Sequence, residues 1–254
     1  MGQNDPLFAK CVCPKQSQDN YTPGYPPMSP VTQSFFTFWG FFDLRFGEDR
    51  ETIGTCLVDL GTTLQLNAGT IELIKNLQSS RMGFYENQGS DADGNVYLQE
   101  IFTDRKYKCY SSSKYTGKTG QIWFLRIAPP PFEINDQHIA ITTPYVIYNT
   151  SRRDWEDYFE RVLPKLAIHP PLLAHNELLK YGLIPNYWNE YVFQAYANHL
   201  ENAIYLAGIP DKPESLPHFD PSSSIDINLS QIPGKEDKKK AIKKFTKKQK
   251  KRGK

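Results

Sequence analysis

Cysteine is scarce in this chain. The four that occur in 254 residues, Cys11, Cys13, Cys56 and Cys109, are too few to staple a fold of this size, and no basic segment followed by an apolar stretch precedes them as a secretion signal would. A reducing, cytoplasmic setting is therefore expected, or a nuclear one if the source cell has a nucleus. Long apolar runs are missing as well. The longest, Ser34–Phe42, falls far short of the ~20 residues that a membrane-spanning helix needs. No segment repeats at solenoid periods, which argues against a solenoid.

Catalytic and metal motifs are equally thin. The histidines, His138, His169, His175, His199 and His218, include no HExxH pair, and no serine sits in a GxSxG elbow. Cys11-Val-Cys13 is tightly spaced, but a four-thiolate zinc site would have to recruit Cys56 and Cys109 from distant segments. Asp91-Ala-Asp-Gly-Asn95 begins like a calcium loop, yet Val96 stands where the turn glycine belongs and Phe102 where the bidentate glutamate belongs. Gly117-Lys118-Thr119 ends like a P-loop, with Ser112 in place of the first glycine. Met1 to Pro6 opens like a myristoylation signal, with Pro6 in place of Ser or Thr. The residues therefore predict neither a metal site nor a cofactor. The acid/base candidates that remain are His175 with Glu177, and His199 with Glu190 on a shared helix. A histidine on an apolar helix face more often completes a core than it catalyses.

Two things are abundant. The first is aromatic side chains, 15 Phe, 15 Tyr and 4 Trp, each able to bury roughly 150–250 Å²; they predict an aromatic-rich core. The second is basic charge at one end. Residues 235–254 carry twelve Lys or Arg against Glu236 and Asp237, a local net charge of +10, whereas the whole chain is only +2, so residues 1–234 carry −8. An acidic body with a basic tail points to a polyanionic partner for the tail.

Proline and polar residues divide the chain. Residues 1–33 read as an irregular leader punctuated by Pro14, Pro23, Pro26, Pro27 and Pro30. Residues 34–210 read as one α+β domain, an aromatic-rich mixed or antiparallel sheet followed by a helical C-terminal half. Residues 211–234 read as a polar linker and 235–254 as a disordered basic tail. Within the domain, strands are predicted at Ser34–Phe42 and Thr55–Leu60, then a helix from Gly69-Thr70 with Leu73, Ile74 and Leu77 on one face. Further strands are predicted over Met82–Glu86, Asn95–Phe102, Tyr107–Tyr110, Gln121–Ile127 and Ile139–Tyr148, with Asp93-Gly94-Asn95 as a hairpin turn. Ser151 caps a helix carrying Trp155, Tyr158, Phe159, Val162 and Leu163. A short helix over Ala174–Tyr181 follows, and then one capped by Asn186 whose stripe runs through Trp188, Tyr191, Val192, Ala195, Tyr196 and His199.

One short resemblance stands out. Leu57-Val-Asp-Leu-Gly-Thr-Thr63 resembles the first phosphate loop of the actin and heat-shock ATPase fold, which would imply a strand leading into a turn where Asp59 and backbone amides meet a nucleotide. It covers seven residues, and the helical pattern from Thr70 departs from that family, where a second strand follows. The alternative reading of the same residues is a strand and a polar turn.

The expected function is thus a non-enzymatic adaptor whose tail contacts nucleic acid, RNA ahead of DNA, without reading sequence. The contacts would come from Lys238, Lys239, Lys240, Lys243, Lys244, Lys247, Lys248, Lys250, Lys251 and Arg252, with Phe245 as the one stacking ring available. The alternatives are a small hydrolase or transferase whose pocket shows no motif, and a protein-interaction module whose tail serves solubility.

Overall fold

The computed structural model describes residues 24, 26, 29–130 and 137–217. The leader up to residue 23 and the segment from residue 218 onward, including every tail lysine named above, lie outside the described residues.

Among the described residues, three helices come first. Thr32 accepts a hydrogen bond from the Phe35 amide and starts α1, Gln33–Phe42. Thr52 and Thr55 form a reciprocal capping box at the head of α2, Ile53–Asp59, and Asn67 caps α3, Ala68–Ser79. The strands expected at Ser34–Phe42 and Thr55–Leu60 are therefore helical. Caps that satisfy the first-turn amides, together with ring pairs such as Phe38–Phe42 at 6.0 Å along one helix face, outweigh the β preference of the aromatic residues. The phosphate-loop resemblance falls with them, because Asp59 ends a helix instead of following a strand.

Six strands follow: β1, Arg81–Ser90; β2, Asn95–Glu100; β3, Lys106–Ser111; β4, Ile122–Ala128; β5, His138–Ala140; and β6, Tyr145–Ile147. The β1–β2 hairpin closes around Gly94, whose φ of 80° suits glycine, and Asp91 ties the turn by accepting from the Asp93 and Asn95 amides. Pairing runs β1–β2–β3–β5–β4 and back to β1, a closed five-stranded barrel in which only β3–β5 is parallel. The remaining length of β4 pairs with β6. Facing pairs Gly83–Leu125 and Tyr85–Trp123 fill the barrel, and glycine is required at position 83 because a Cβ there would lie 2.4 Å from the Tyr85 hydroxyl.

Helices α4, Arg152–Val162, α5, Pro171–Tyr181, and α6, Tyr187–Ala195, then cover the other face of the sheet. The helical half is not the end of the fold. The chain returns to the sheet as β7, Tyr196–His199, and β8, Ile204–Leu206, with β8 parallel to β6. The stripe expected to run on through Tyr196 and His199 stops at Ala195, where the backbone becomes extended.

Between helices and sheet lies the aromatic core: Phe35, Phe84, Phe124, Trp155, Tyr158, Phe159, Trp188 and Tyr191 are all buried. Their polar tips are paired. Trp155 Nε1 donates to Thr150 Oγ1 at 3.0 Å, Trp188 Nε1 to the Leu178 carbonyl at 2.8 Å and Tyr191 Oη to the Gly208 carbonyl at 2.9 Å. Ser151 holds α4 in place through a capping box with Asp154, whose carboxylate accepts from Ser151 N at 2.9 Å and Oγ at 2.7 Å. Ser151→Ala should cost about 1 kcal/mol, the usual worth of such a cap. An unchanged urea midpoint would remove the cap from any account of α4.

Candidate functional site

Arg126 is a cation inside a strand, Ile122–Ala128, every residue of which is buried. A buried guanidinium demands partners, and three elements supply them. Helix α1 ends at Phe42, and Asp43, its cap residue, sends its amide back to the Trp39 carbonyl at 2.9 Å while its carboxylate Oδ2 accepts from Arg126 Nη2. Ser80, just past α3, accepts from Arg126 Nη1 through its carbonyl and its Oγ, both at 3.2 Å. Lys180, in the last turn of α5, donates to the carbonyls of Gln78 and Ser80. The side chains of Arg126 and Asp43 are 1% and 3% exposed.

The cluster is only partly satisfied. Asp43 Oδ1 and Arg126 Nε are buried without a hydrogen-bond partner, a costly arrangement in a low-dielectric interior. Burial raises the Asp43 carboxyl from 3.8 to about 6, against the opposing pull of Arg126 and Lys180. Burial likewise lowers the Lys180 amine from 10.5 to about 8, with Asp43 resisting and Arg126 and Arg45 assisting. An acid and an amine thus titrate on either side of neutrality within one cluster, an arrangement found at functional sites and also in structural ion networks.

Above this floor is a cleft of about 460 Å³ between the α1–α2 loop and the α5–α6 region, lined by Trp39, Met82, Leu179 and Trp188 among other apolar groups. Arg45 and Arg50 stand in its lining. The Arg45 guanidinium lies 3.3 Å over the Tyr181 ring and 3.5 Å from Glu177. A second cleft of similar volume, between α4 and the loop after β2, is lined by Phe102, Phe159, Leu163 and Ile168 with charged groups on its edge. At the barrel mouth, Arg81 pairs with buried Glu100 at 2.7 Å and donates to Asn176 at 2.9 Å, while Thr103 donates to the other Glu100 oxygen. Arg81 also donates to the Met82 carbonyl, and with both Glu100 oxygens engaged the pair reads as structural.

The residues singled out in the sequence are placed as follows. His175 is 1% exposed, stacked on Phe102 at 4.2 Å and edge-on to Phe159 at 4.9 Å, and burial lowers its imidazole to about 2. It is a neutral core residue near neutral pH. Glu177, two positions on, points to Arg45, so the histidine and its proposed carboxylate partner face different surroundings on α5. Glu190 lies in the first turn of α6, whereas His199 is on β7 with Nδ1 2.8 Å from the Tyr196 hydroxyl. The expectation of one shared helix for that pair is corrected by the return of the chain to the sheet. Gly117-Lys118-Thr119 lies in the loop between β3 and β4. Among the described residues, no group of three or more His, Cys, Asp or Glu could hold a metal ion, and no helix is long and apolar enough to cross a membrane.

Sequence reasoning missed Asp43, Arg126 and Lys180. One signal was available: Arg126 interrupts the run Ile-Trp-Phe-Leu-Arg-Ile-Ala, and a charge within a fully buried strand announces an unseen partner. Nothing in the sequence pointed to Asp43, because it follows a segment read as a strand. No protein-family model and no curated protein sequence matches the chain.

Proposed function

We propose that this protein is a non-enzymatic cytoplasmic adaptor whose Lys-rich tail contacts nucleic acid, RNA ahead of DNA, without reading its sequence. The observation that carries this is the segregation of charge, +10 over residues 235–254 against −8 over the rest. Each phosphate neutralised by a tail cation releases condensed counterions, so affinity follows charge count and falls steeply with salt. The body, being acidic, repels phosphate and leaves the contact to the tail. The burial of His175 as a neutral ring among Phe102 and Phe159 removes one of the two candidate bases of the competing hydrolase reading and leaves His199, which is half-buried on β7. An adaptor also needs a surface for a protein partner. Helix α3 buries none of its residues, and Leu60, Leu64 and Leu73 are among the exposed large apolar side chains.

Deleting Lys235–Lys254 should abolish retention on heparin and on single-stranded RNA at low salt. In the full chain, the logarithm of the RNA association constant should fall linearly with the logarithm of salt, with a slope near −0.7 per phosphate contacted. Retention of RNA by the truncated protein would overturn the proposal.

A further inference from the structure

The cleft above Asp43 and Lys180 carries a second reading, independent of the tail. Asp43 is matched by Arg126 behind it, which leaves Arg45, Arg50 and Lys180 against Glu177 in the lining. The result is a local excess of positive charge in a body that is −8 over residues 1–234. Surface lysines scattered on an acidic protein would not produce this, because Lys180 is largely buried at the foot of the cleft and Arg45 is pre-positioned. Its guanidinium, stacked 3.3 Å over Tyr181, is a planar fork already ordered for a carboxylate, which saves much of the side-chain entropy that binding would otherwise cost. Glu177 contacts it at 3.5 Å, a loose ion pair that leaves other guanidinium hydrogens available. Arg50 makes no ion pair among the described residues.

The rest of the lining sets the other half of the ligand. Trp39, Met82, Leu179 and Trp188 give the cleft apolar walls, and a volume of about 460 Å³ lies within the ~300–1,000 Å³ of small-molecule sites. An inorganic anion would leave those walls unused, whereas an uncharged hydrocarbon would leave the excess of positive charge in the lining unmatched. Asp43 and Lys180 give the cleft a polar side, and behind it Asp43 Oδ1 and Arg126 Nε are buried without partners, the partly satisfied network that plain cores avoid.

We infer that this cleft binds a small organic acid, its carboxylate held by Arg45, Arg50 and Lys180 and its apolar body against Trp39 and Trp188. The reading assigns Arg45 and Arg50 as specificity residues and asks no chemistry of them.

The test uses the full chain with its tail intact and two probes, 3-phenylpropionate and its uncharged amide, titrated calorimetrically at low salt. The acid should bind saturably at one site, with the amide at least about tenfold weaker because it forfeits the charge-assisted bonds. Arg45→Gln combined with Arg50→Gln should weaken the acid by a similar factor while leaving the thermal midpoint close to that of the parent, since both side chains lie at the edge of the cleft. If that variant does not fold, Arg50→Gln alone, at an exposed residue without an ion pair among the described residues, makes the same comparison. No saturable binding of the acid at about 10 mM, well above the ~1 mM that corresponds to only −4 kcal/mol, would overturn the inference. Equal affinity for acid and amide would overturn it too, as would undiminished binding by the folded double variant, which would place the acid on the tail.

Discussion

Arg126→Met should destabilise this protein by about 3–5 kcal/mol at pH 7.5, the usual cost of leaving a buried charge without its partner, and by distinctly less at pH 5. The reason lies in Asp43. Its carboxyl is raised in the fold from 3.8 to about 6, so the folded state holds its proton more tightly than the unfolded chain does. A raised acid favours folding most below its unfolded value, and that advantage is lost as pH climbs from about 4 through about 6. In the parent, Arg126 and Lys180 limit the climb. Without Arg126, burial acts against Lys180 alone, the carboxyl titrates higher still, and the loss of stability continues to higher pH. The gap between variant and parent should therefore open between pH 5 and 7.5. What remains at pH 5 is the loss of the Ser80 hydrogen bonds and of side-chain packing. His175, neutral in the fold and protonated in the acid-unfolded chain, lowers stability below about pH 6.5 in both proteins and cancels in the difference. Asp43→Asn placed on Arg126→Met should recover the pH-dependent part. Urea titrations of all three proteins at the two pH values make the measurement, and a gap identical at both would mean that Asp43 does not carry the strain.

Lys180 adds a window of its own. Its amine is lowered from 10.5 to about 8, so folding is penalised for carrying the charge below about 8, and the penalty eases as pH rises from there towards 10.5. The cluster therefore has two opposed flanks, acid-favoured through Asp43 and base-favoured through Lys180. Neutral pH is where both carry charge, which is also the state in which Lys180 can attract an anion.

How much of this was readable beforehand depends on whether a segment's period or its caps decide its structure. Strands β1 to β4 were legible because short β-rich runs are bounded by turn chemistry, as at Asp93-Gly94-Asn95. Helix α4 was legible because a capping box and an apolar stripe coincide at Ser151 to Val162. Ser34–Phe42 was not, because its aromatic density favours a buried strand, although Ser34, Thr37 and Gly40 recur at every third position, a helical spacing. Thr32, capping the Phe35 amide, points the same way. The same holds for Ile53–Asp59, a seven-residue helix set by Thr52 and Thr55. Misreading these two helices also concealed the cleft, since Asp43 acquires meaning only as the residue that ends α1 over β4. The return of the chain as β7 and β8 was hidden for a different reason. Both strands are short, and β8 joins β6 across more than fifty residues, a pairing that no local signal encodes.

Phe84→Ala should be the costliest single truncation in the apolar core, at about 3–5 kcal/mol. Phe84 is 1% exposed and lies at the meeting point of sheet and helices, its ring 3.8 Å from Trp155, 4.6 Å from Phe124 and 5.4 Å from Trp188 between centroids. Stacked and tilted ring pairs contribute roughly 0.5–1.5 kcal/mol each beyond their buried area, so several such terms vanish together. The cost depends on whether neighbours can close the hole, and here they are anchored. Trp155 is held by its bond to Thr150, Trp188 by its bond to the Leu178 carbonyl, and Tyr191, against both, by its bond to the Gly208 carbonyl. For Trp155 or Trp188 to move into the space would break a hydrogen bond, part-buried at Trp155 and buried at Trp188, which offsets what the contact returns. Most of the cavity should therefore persist. Phe41→Ala is the control: that ring is 42% exposed, and its truncation should cost no more than about 1 kcal/mol. Both are read from urea midpoints at constant slope. A Phe84→Ala cost near that of Phe41→Ala would mean that the anchors yield and the core repacks. Trp188 also lines the organic-acid cleft, so a cavity that persists should loosen one of its walls, weakening 3-phenylpropionate in Phe84→Ala but not in Phe41→Ala.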